Sequence, residues 1–174
     1  MTRAAKVLTV SDGVASGHRD DTGGRGLVAH LGGHGFEIVE HRVIPDGRDS
    51  VSGALTAMTA GFAGLVATTG GTGFGPRDLT PEGTLDMLER EAPGLAEAMR
   101  AISPFGRLSR GRAGAVGTAL VINLPGSPSG AVEQVDAVID VLGHALDLLA
   151  GTDSTHCPRA SDRGSPRGSA MRHR

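Results

Sequence analysis

Apolar positions along this chain fall into two rhythms, and the alternation between them predicts the order of its elements. Lys6 to Val10 (KVLTV) is a short β-branched run that ends on the turn signal Ser11-Asp12-Gly13, which predicts a first strand. Phe36 to Ile44 (FEIVEHRVI) alternates apolar with polar residues and predicts a half-exposed strand closed by Pro45-Asp46-Gly47. Gly64 to Thr68 (GLVAT) and Ala119 to Leu124 (ALVINL) are nearly continuous apolar runs, the pattern of strands covered on both faces.

Helical spacing occupies the intervals. Leu27, Val28 and Leu31 share one face of a helix over Gly26 to Leu31, with Asp20, Asp21 or Thr22 as candidate caps. Val51, Leu55 and Met58 predict a helix capped by Asp49. Thr80-Pro81 predicts an Ncap hydroxyl followed by proline at N1, with Leu85, Met87 and Leu88 on the buried side through Glu91. Pro93-Gly94 interrupts, and Leu95, Met99 and Ile102 resume the helical pattern. From Gly130, the residues Val132, Val135, Val138, Ile139, Leu142, Leu146 and Leu149 predict one long amphipathic helix closed by Gly151. The segment SPFGRLSRGRAGAVG fits neither rhythm.

Strands alternating with helices point to an α/β fold, a three-layer sandwich with a mostly parallel central sheet. Ligands of such sheets bind beyond the carboxyl ends of the strands. Here SDG, PDG, TGGTG and NLPGSP follow the four predicted strands, so the turn chemistry converges on one edge.

Composition narrows the partners. With 174 residues, 39% of them hydrophobic and 21% charged, the chain suits one globular domain over residues 1–151. Aromatic residues make up 2%, without Trp or Tyr, which leaves no stacking platforms for bases and argues against nucleic acid as a partner. The net charge of -2 conceals five Arg and two Asp in residues 152–174. That Pro-, Gly-, Ser- and Arg-rich tail is read as a basic, disordered extension. The single cysteine, Cys157, lies in it, so neither an intrachain disulfide nor a thiolate cluster is expected, and a cytoplasmic location follows. No apolar stretch approaches the roughly 20 residues that span a bilayer.

The chemistry concentrates in TTGGTGFGPRDLTPE. Gly70, Gly71 and Gly73 allow backbone amides to approach an anion, and Thr69 and Thr72 add hydroxyl donors, although the lysine of a Walker loop is missing. Asp46 and Asp78 follow strands in proline-containing turns. If both reach the binding edge they can hold Mg²⁺ on nucleotide phosphates; taken singly, each also reads as a turn residue. Asp12 shares that ambiguity. Ser109 and Arg110 suit a second anion or a plain basic loop, and Asn123 and Ser127 suit a base, a ribose or the turn itself. The seven histidines show no metal-ligand spacing and receive no chemistry.

With IPD, TTGGTGFGPRDLTPE, LSRG and NLPGSP in this order, residues 5–151 resemble the molybdopterin adenylyltransferase family, the MogA/MoaB group related to the G domains of plant Cnx1 and gephyrin. The resemblance implies transfer of AMP from ATP to the terminal phosphate of molybdopterin, with Mg²⁺ as cofactor and Asp46 and Asp78 as catalytic and metal-holding carboxylates. It places Ser11, Asp12, Gly70, Gly71, Gly73, Asn123, Pro125, Gly126 and Ser127 around the nucleotide, and Thr72, Ser103, Ser109 and Arg110 around molybdopterin. It further implies a homotrimer or hexamer that hands its product to a molybdate-insertion enzyme. The alternative is a non-catalytic molybdopterin-binding carrier or scaffold of the same family. Gly13 departs from the larger polar residue of many relatives, and the tail lies outside the resemblance.

Overall fold

The computed structural model describes residues 3–152; the predicted tail, Cys157 included, lies outside them apart from Thr152. In these residues six strands form one sheet: β1 (Arg3–Val10), β2 (Phe36–Ile44), β3 (Gly64–Thr69), β4 (Arg90–Glu91), β5 (Ala113–Val116) and β6 (Ala119–Leu124). Their order is β2-β1-β3-β6-β5-β4. β1 runs parallel to β2 and β3, and β3 parallel to β6, whereas β5 is antiparallel to both β6 and β4. The sequence therefore predicts the parallel centre and misses the antiparallel edge, where β5 comes from the segment left without a rhythm and β4 from the end of a predicted helix.

The helices are α1 (Asp12–Ala15), α2 (Thr22–Gly33), α3 (Arg48–Thr59), α4 (Thr80–Leu85), α5 (Pro93–Ala101), α6 (Pro128–Asp136) and α7 (Ile139–Leu149), with a 3₁₀ turn over Pro104–Leu108. Alternation of side chains along the central strands divides the core in two. Ala5 and Val7, Leu65 and Ala67, and Leu120, Ile122 and Leu124 pack with α2, α5, α6 and α7 on one face. Leu8 and Val10, Val66, and Val121 pack with Val51, Leu55 and Met58 of α3 on the other. The result is a three-layer α/β sandwich. β3 and β6 are buried at every position, which explains their unbroken apolar runs.

Several predicted boundaries move, each for a local reason. Gly47, at φ 127°, is the residue before α3, and its carbonyl accepts from Val51 N at 3.1 Å, so Asp49 sits inside the first turn and is not the cap. Leu79 is the N-cap of α4, without a side-chain cap, and Thr80 is the first helical residue. That helix ends at Leu85, because Glu89 N donates to the Ala115 carbonyl at 3.0 Å and carries the chain out to β4 rather than on to Glu91 as helix. Pro93 opens α5 instead of interrupting a helix, in keeping with proline at a first turn. The predicted 130–149 helix breaks into α6 and α7 where Val138 N bonds the Val135 carbonyl at 3.1 Å in a tighter turn. Val135, Val138, Leu142 and Leu146 all stay buried across the break, so apolar spacing could not announce it.

At the end of β3 the chain turns sharply. Gly70 has φ 106°, and a Cβ there would lie 2.1 Å from the Val10 carbonyl oxygen. Neither backbone can yield within the sheet. Gly70→Ala is therefore expected to cost at least about 2 kcal/mol of unfolding free energy, measured by urea denaturation, through strain and backbone overlap together.

Candidate active site

Because β1, β2, β3 and β6 are parallel, their carboxyl ends meet at one edge, and hydrogen bonds lock the turns that follow. Ser11 N donates to the Ile44 carbonyl at 3.0 Å, Gly70 N to the Leu124 carbonyl at 3.1 Å, and Thr69 Oγ1 to the Pro125 carbonyl at 2.8 Å. Ser11 also caps α1, accepting from Val14 N at 3.3 Å. The Gly-rich loop is pinned from below by Thr80, fully buried, whose Oγ1 donates to the Gly70 carbonyl at 2.9 Å and whose N donates to the Gly71 carbonyl at 3.0 Å.

Two cavities open on this edge. The larger, about 360 Å³, is lined by Thr72, Gly73, Ser103, Phe105, Ser109, Pro125 and Ser127, among others. The smaller, about 230 Å³, is lined by Ser11, Arg19, Asp20, Asp21, Asp46 and Gly70, among others. Gly71, Asp78 and Gly126 line both, so the Gly-rich loop and the turn after β6 form the wall between them.

Most residues singled out from the sequence stand at this edge, though not always on the expected side. Ser11, Gly70, Gly71 and Asp46 border the smaller cavity, and Thr72, Ser103 and Ser109 the larger. Gly73, Pro125 and Ser127, expected around the nucleotide, border the larger cavity beside Thr72. Ser103 Oγ accepts from Phe105 N at 3.3 Å and Ser109 Oγ from Gly111 N at 3.2 Å, which leaves both hydroxyls their own donors.

Three residues expected at the site line neither cavity. Asn123 is buried; its Nδ2 donates to Thr68 Oγ1 at 3.1 Å and Thr84 Oγ1 at 3.0 Å, and its Oδ1 accepts from Arg112 N at 3.0 Å. Arg110 lines neither cavity. Its Nε donates to the Gly73 carbonyl at 2.8 Å, and its other nitrogens donate to the Asp78 carbonyl and to Glu82, which clamps both ends of the Gly-rich loop to α4. Burial pushes the Glu82 carboxyl up, but its hydrogen bond and charge attraction to Arg110 outweigh this and hold it below the usual range. Asp12 is likewise engaged: Arg77 Nε donates to its Oδ2 at 2.5 Å, and that hydrogen bond holds its carboxyl below the ordinary value.

Asp46 and Asp78 are placed differently. Asp46 Oδ2 accepts from Asp12 N at 2.7 Å and Asp78 Oδ2 accepts from Gly75 N at 2.9 Å. In each carboxylate Oδ1 takes no hydrogen bond among the described residues and remains a hard oxygen donor. Sequence reasoning missed Arg19, Asp20, Asp21 and Phe105. Phe105 is 81% exposed beside the larger cavity, and the exposure of an aromatic residue is not legible in the sequence.

Residues 6–144 match the family described as "Probable molybdopterin binding domain". The molybdopterin adenylyltransferase of Helicobacter pylori is 35% identical over 152 residues, covering 83% of this chain and 86% of that protein. The Escherichia coli K12 protein of the same name is 36% identical over 148 residues, covering 80% and 75%. The chain belongs to the molybdopterin adenylyltransferase family. Among solved structures, the molybdopterin biosynthesis enzyme MoaB of Thermus thermophilus aligns with a TM-score of 0.80 at 44% identity, covering 86% of this chain and 97% of that one. The Mog protein of Mycobacterium ulcerans aligns at 0.79 with 38% identity, covering 87% and 99%. In this family member no described helix is long and apolar enough to cross a membrane.

The Asp12–Arg77 pair makes stability depend on acid. The folded pKa of Asp12 lies below its unfolded value, so its contribution is fully present above about pH 4 and is lost as pH falls through the folded value. Below about pH 4 the unfolded chain binds more protons at this site, so stability rises with pH there. Urea titrations at a series of acidic pH values are expected to give a shallower slope for Arg77→Ala than for the wild-type chain.

Proposed function

We propose that the chain catalyses Mg²⁺-dependent transfer of AMP from ATP to the terminal phosphate of molybdopterin. The observation that carries this reading is the shared wall: two cavities of different character meet at Gly71, Asp78 and Gly126, so that groups held in each can react across one loop. The smaller cavity takes ATP and the larger takes molybdopterin, with the Thr72, Ser103 and Ser109 hydroxyls as donors to the pterin or its phosphate.

In the proposed reaction an oxygen of the molybdopterin phosphate attacks the α-phosphorus of ATP in line. A new P–O bond forms, the bond to the bridging oxygen of the β-phosphate breaks, and pyrophosphate leaves with the electron pair. The attacking group is already an anion, so the protein needs no nucleophile or strong base; positioning and charge neutralisation suffice.

The residues present fit a magnesium ion. Asp46 and Asp78 both border the smaller cavity with an uncommitted Oδ1, and Mg²⁺ is commonly held by one or two carboxylates together with substrate phosphates. When bound, the ion would offset phosphate charge and screen the developing charge on the leaving group. Asp46, Asp78, Asp20 and Asp21 against the one guanidinium of Arg19 make the cavity anionic, which supports entry of ATP as its metal complex rather than alone. The protein would hold both substrates at the wall and exclude water from the space between them.

The test is a molybdopterin adenylylation assay that follows pyrophosphate. Asp46→Asn and Asp78→Asn are each expected to lower the rate by about 10²-fold or more, the range for loss of a preorganised charge-stabilising group. Full activity in Asp78→Asn would exclude the proposed site. Binding of molybdopterin by the wild-type chain, with no pyrophosphate released in the presence of ATP and Mg²⁺, would favour the carrier reading instead.

A further inference from the structure

Outside the lining of the two cavities, at the C-terminal ends of two helices that border them, the structure brings together two imidazoles and a carboxylate. His30 lies in the last turn of α2, His34 caps its C-terminus, and Asp136 is the last residue of α6. No ligand spacing was visible among the histidines because apolar periodicity ended the helix at Leu31. With α2 continuing to Gly33, His30 and His34 stand four positions apart and fall on the same side of the helix.

We propose that His30, His34 and Asp136 bind a divalent transition-metal ion of borderline softness, with Zn²⁺ as the type case. One ligand atom from each residue lies within 4.8 Å of the other two. His30 Nε2 is 2.6 Å from Asp136 Oδ1, and His34 Nε2 is 4.0 Å from the same oxygen. Tetrahedral ligands at zinc stand roughly 3.3 Å apart for bonds near 2.0 Å. The His30–Asp136 contact must open and the His34–Asp136 contact close by less than an ångström each, by small rotations at the helix ends, and the ion displaces the proton through which His30 Nε2 donates to the carboxylate.

The tautomer of His34 is already set for this role. Its Nδ1 lies 3.0 Å from the His30 carbonyl oxygen, which can only accept, so Nδ1 carries the proton and Nε2 keeps its lone pair on the side of Asp136. A ring nitrogen held by a backbone carbonyl is the usual support of a metal-bound histidine. Two imidazoles and one carboxylate select zinc-like ions over Mg²⁺ or Ca²⁺, and water would complete the coordination.

The position gives the site a consequence. The N-terminal residues Thr22 and Gly23 of α2 border the smaller cavity, while Gly130 and Gln134 of α6 border the larger. An ion held at the C-termini of α2 and α6 would tie together the two helices that carry these walls.

Isothermal titration of the full chain with ZnCl₂ tests the site, with Co²⁺ absorption reporting coordination geometry. Because residues 153–174 contain His156, Cys157 and His173, a variant with His156→Ala, Cys157→Ser and His173→Ala serves as the reference. The reference protein is expected to bind one equivalent of Zn²⁺, to gain about 2–4 °C in Tm and to show the intense visible bands of tetrahedral Co²⁺. In that background His34→Ala and Asp136→Asn, each folded by circular dichroism, are expected to weaken binding at least about tenfold and abolish the bands. Zinc binding by the unaltered chain that disappears in the reference protein, or unchanged affinity in both single variants, would overturn the proposal.

Discussion

The grip of Thr80 on the Gly70–Gly71 turn governs where everything else at the site stands. Its buried hydroxyl and its backbone N–H take the two carbonyls that the glycine turn exposes, so the end of β3 is tied to the start of α4 across ten residues of loop. Asp78 is inside that loop and Asp46 lies against it: a Cβ on Gly71 would come within 3.1 Å of Asp46 Oδ1 and 2.4 Å of Thr80 Oγ1. The glycines here make room for two groups, the hydroxyl that fixes the loop and the carboxylate that faces the cavity. Arg110 completes the restraint from the other side by holding the Gly73 and Asp78 carbonyls. A donor that would serve an anion in an open loop is consumed in shaping the loop itself.

How much of this was legible depended on whether a residue's role was local. The parallel strands could be read because burial on both faces leaves a continuous apolar run in β3 and β6 and burial on one face leaves the alternation of β2, and the convergence of their turns followed from parallelism alone. Asp46 and Asp78 could be located but not distinguished from turn residues, since both roles use the same side chain in the same turn. Asn123, Arg110 and Asp12 could not be assigned from spacing, because their partners, Thr84, Glu82 and Arg77, are 28 to 65 positions away. The β4–β5 edge was hidden for a related reason. Its pairing partners supply the stability that a two-residue strand and a glycine-rich neighbour lack on their own. The division of α6 from α7 shows the converse: periodicity reports which face is buried, and that face is unchanged by one tightened turn.

The ionic arrangement separates carboxylates that build the site from those that face it. Arg77 donates to both oxygens of Asp12 and to the Asp46 carbonyl, but not to the Asp46 carboxylate. One cation thus ties the turn after β1 to the turn after β2 without a hydrogen bond to the Asp46 carboxylate. Arg110 does the same for Asp78, taking its carbonyl and pairing with Glu82 instead. In both places the arginine satisfies the backbone of the loop and a neighbouring acid, and the aspartate side chain toward the cavity is spared. Two fixed negative charges beside a proposed triphosphate site would repel the nucleotide if they acted alone. Kept unpaired at one cavity wall, they instead favour a divalent cation between protein and phosphate, so the proposed dependence on Mg²⁺ would follow from where the arginines were placed as much as from the aspartates themselves.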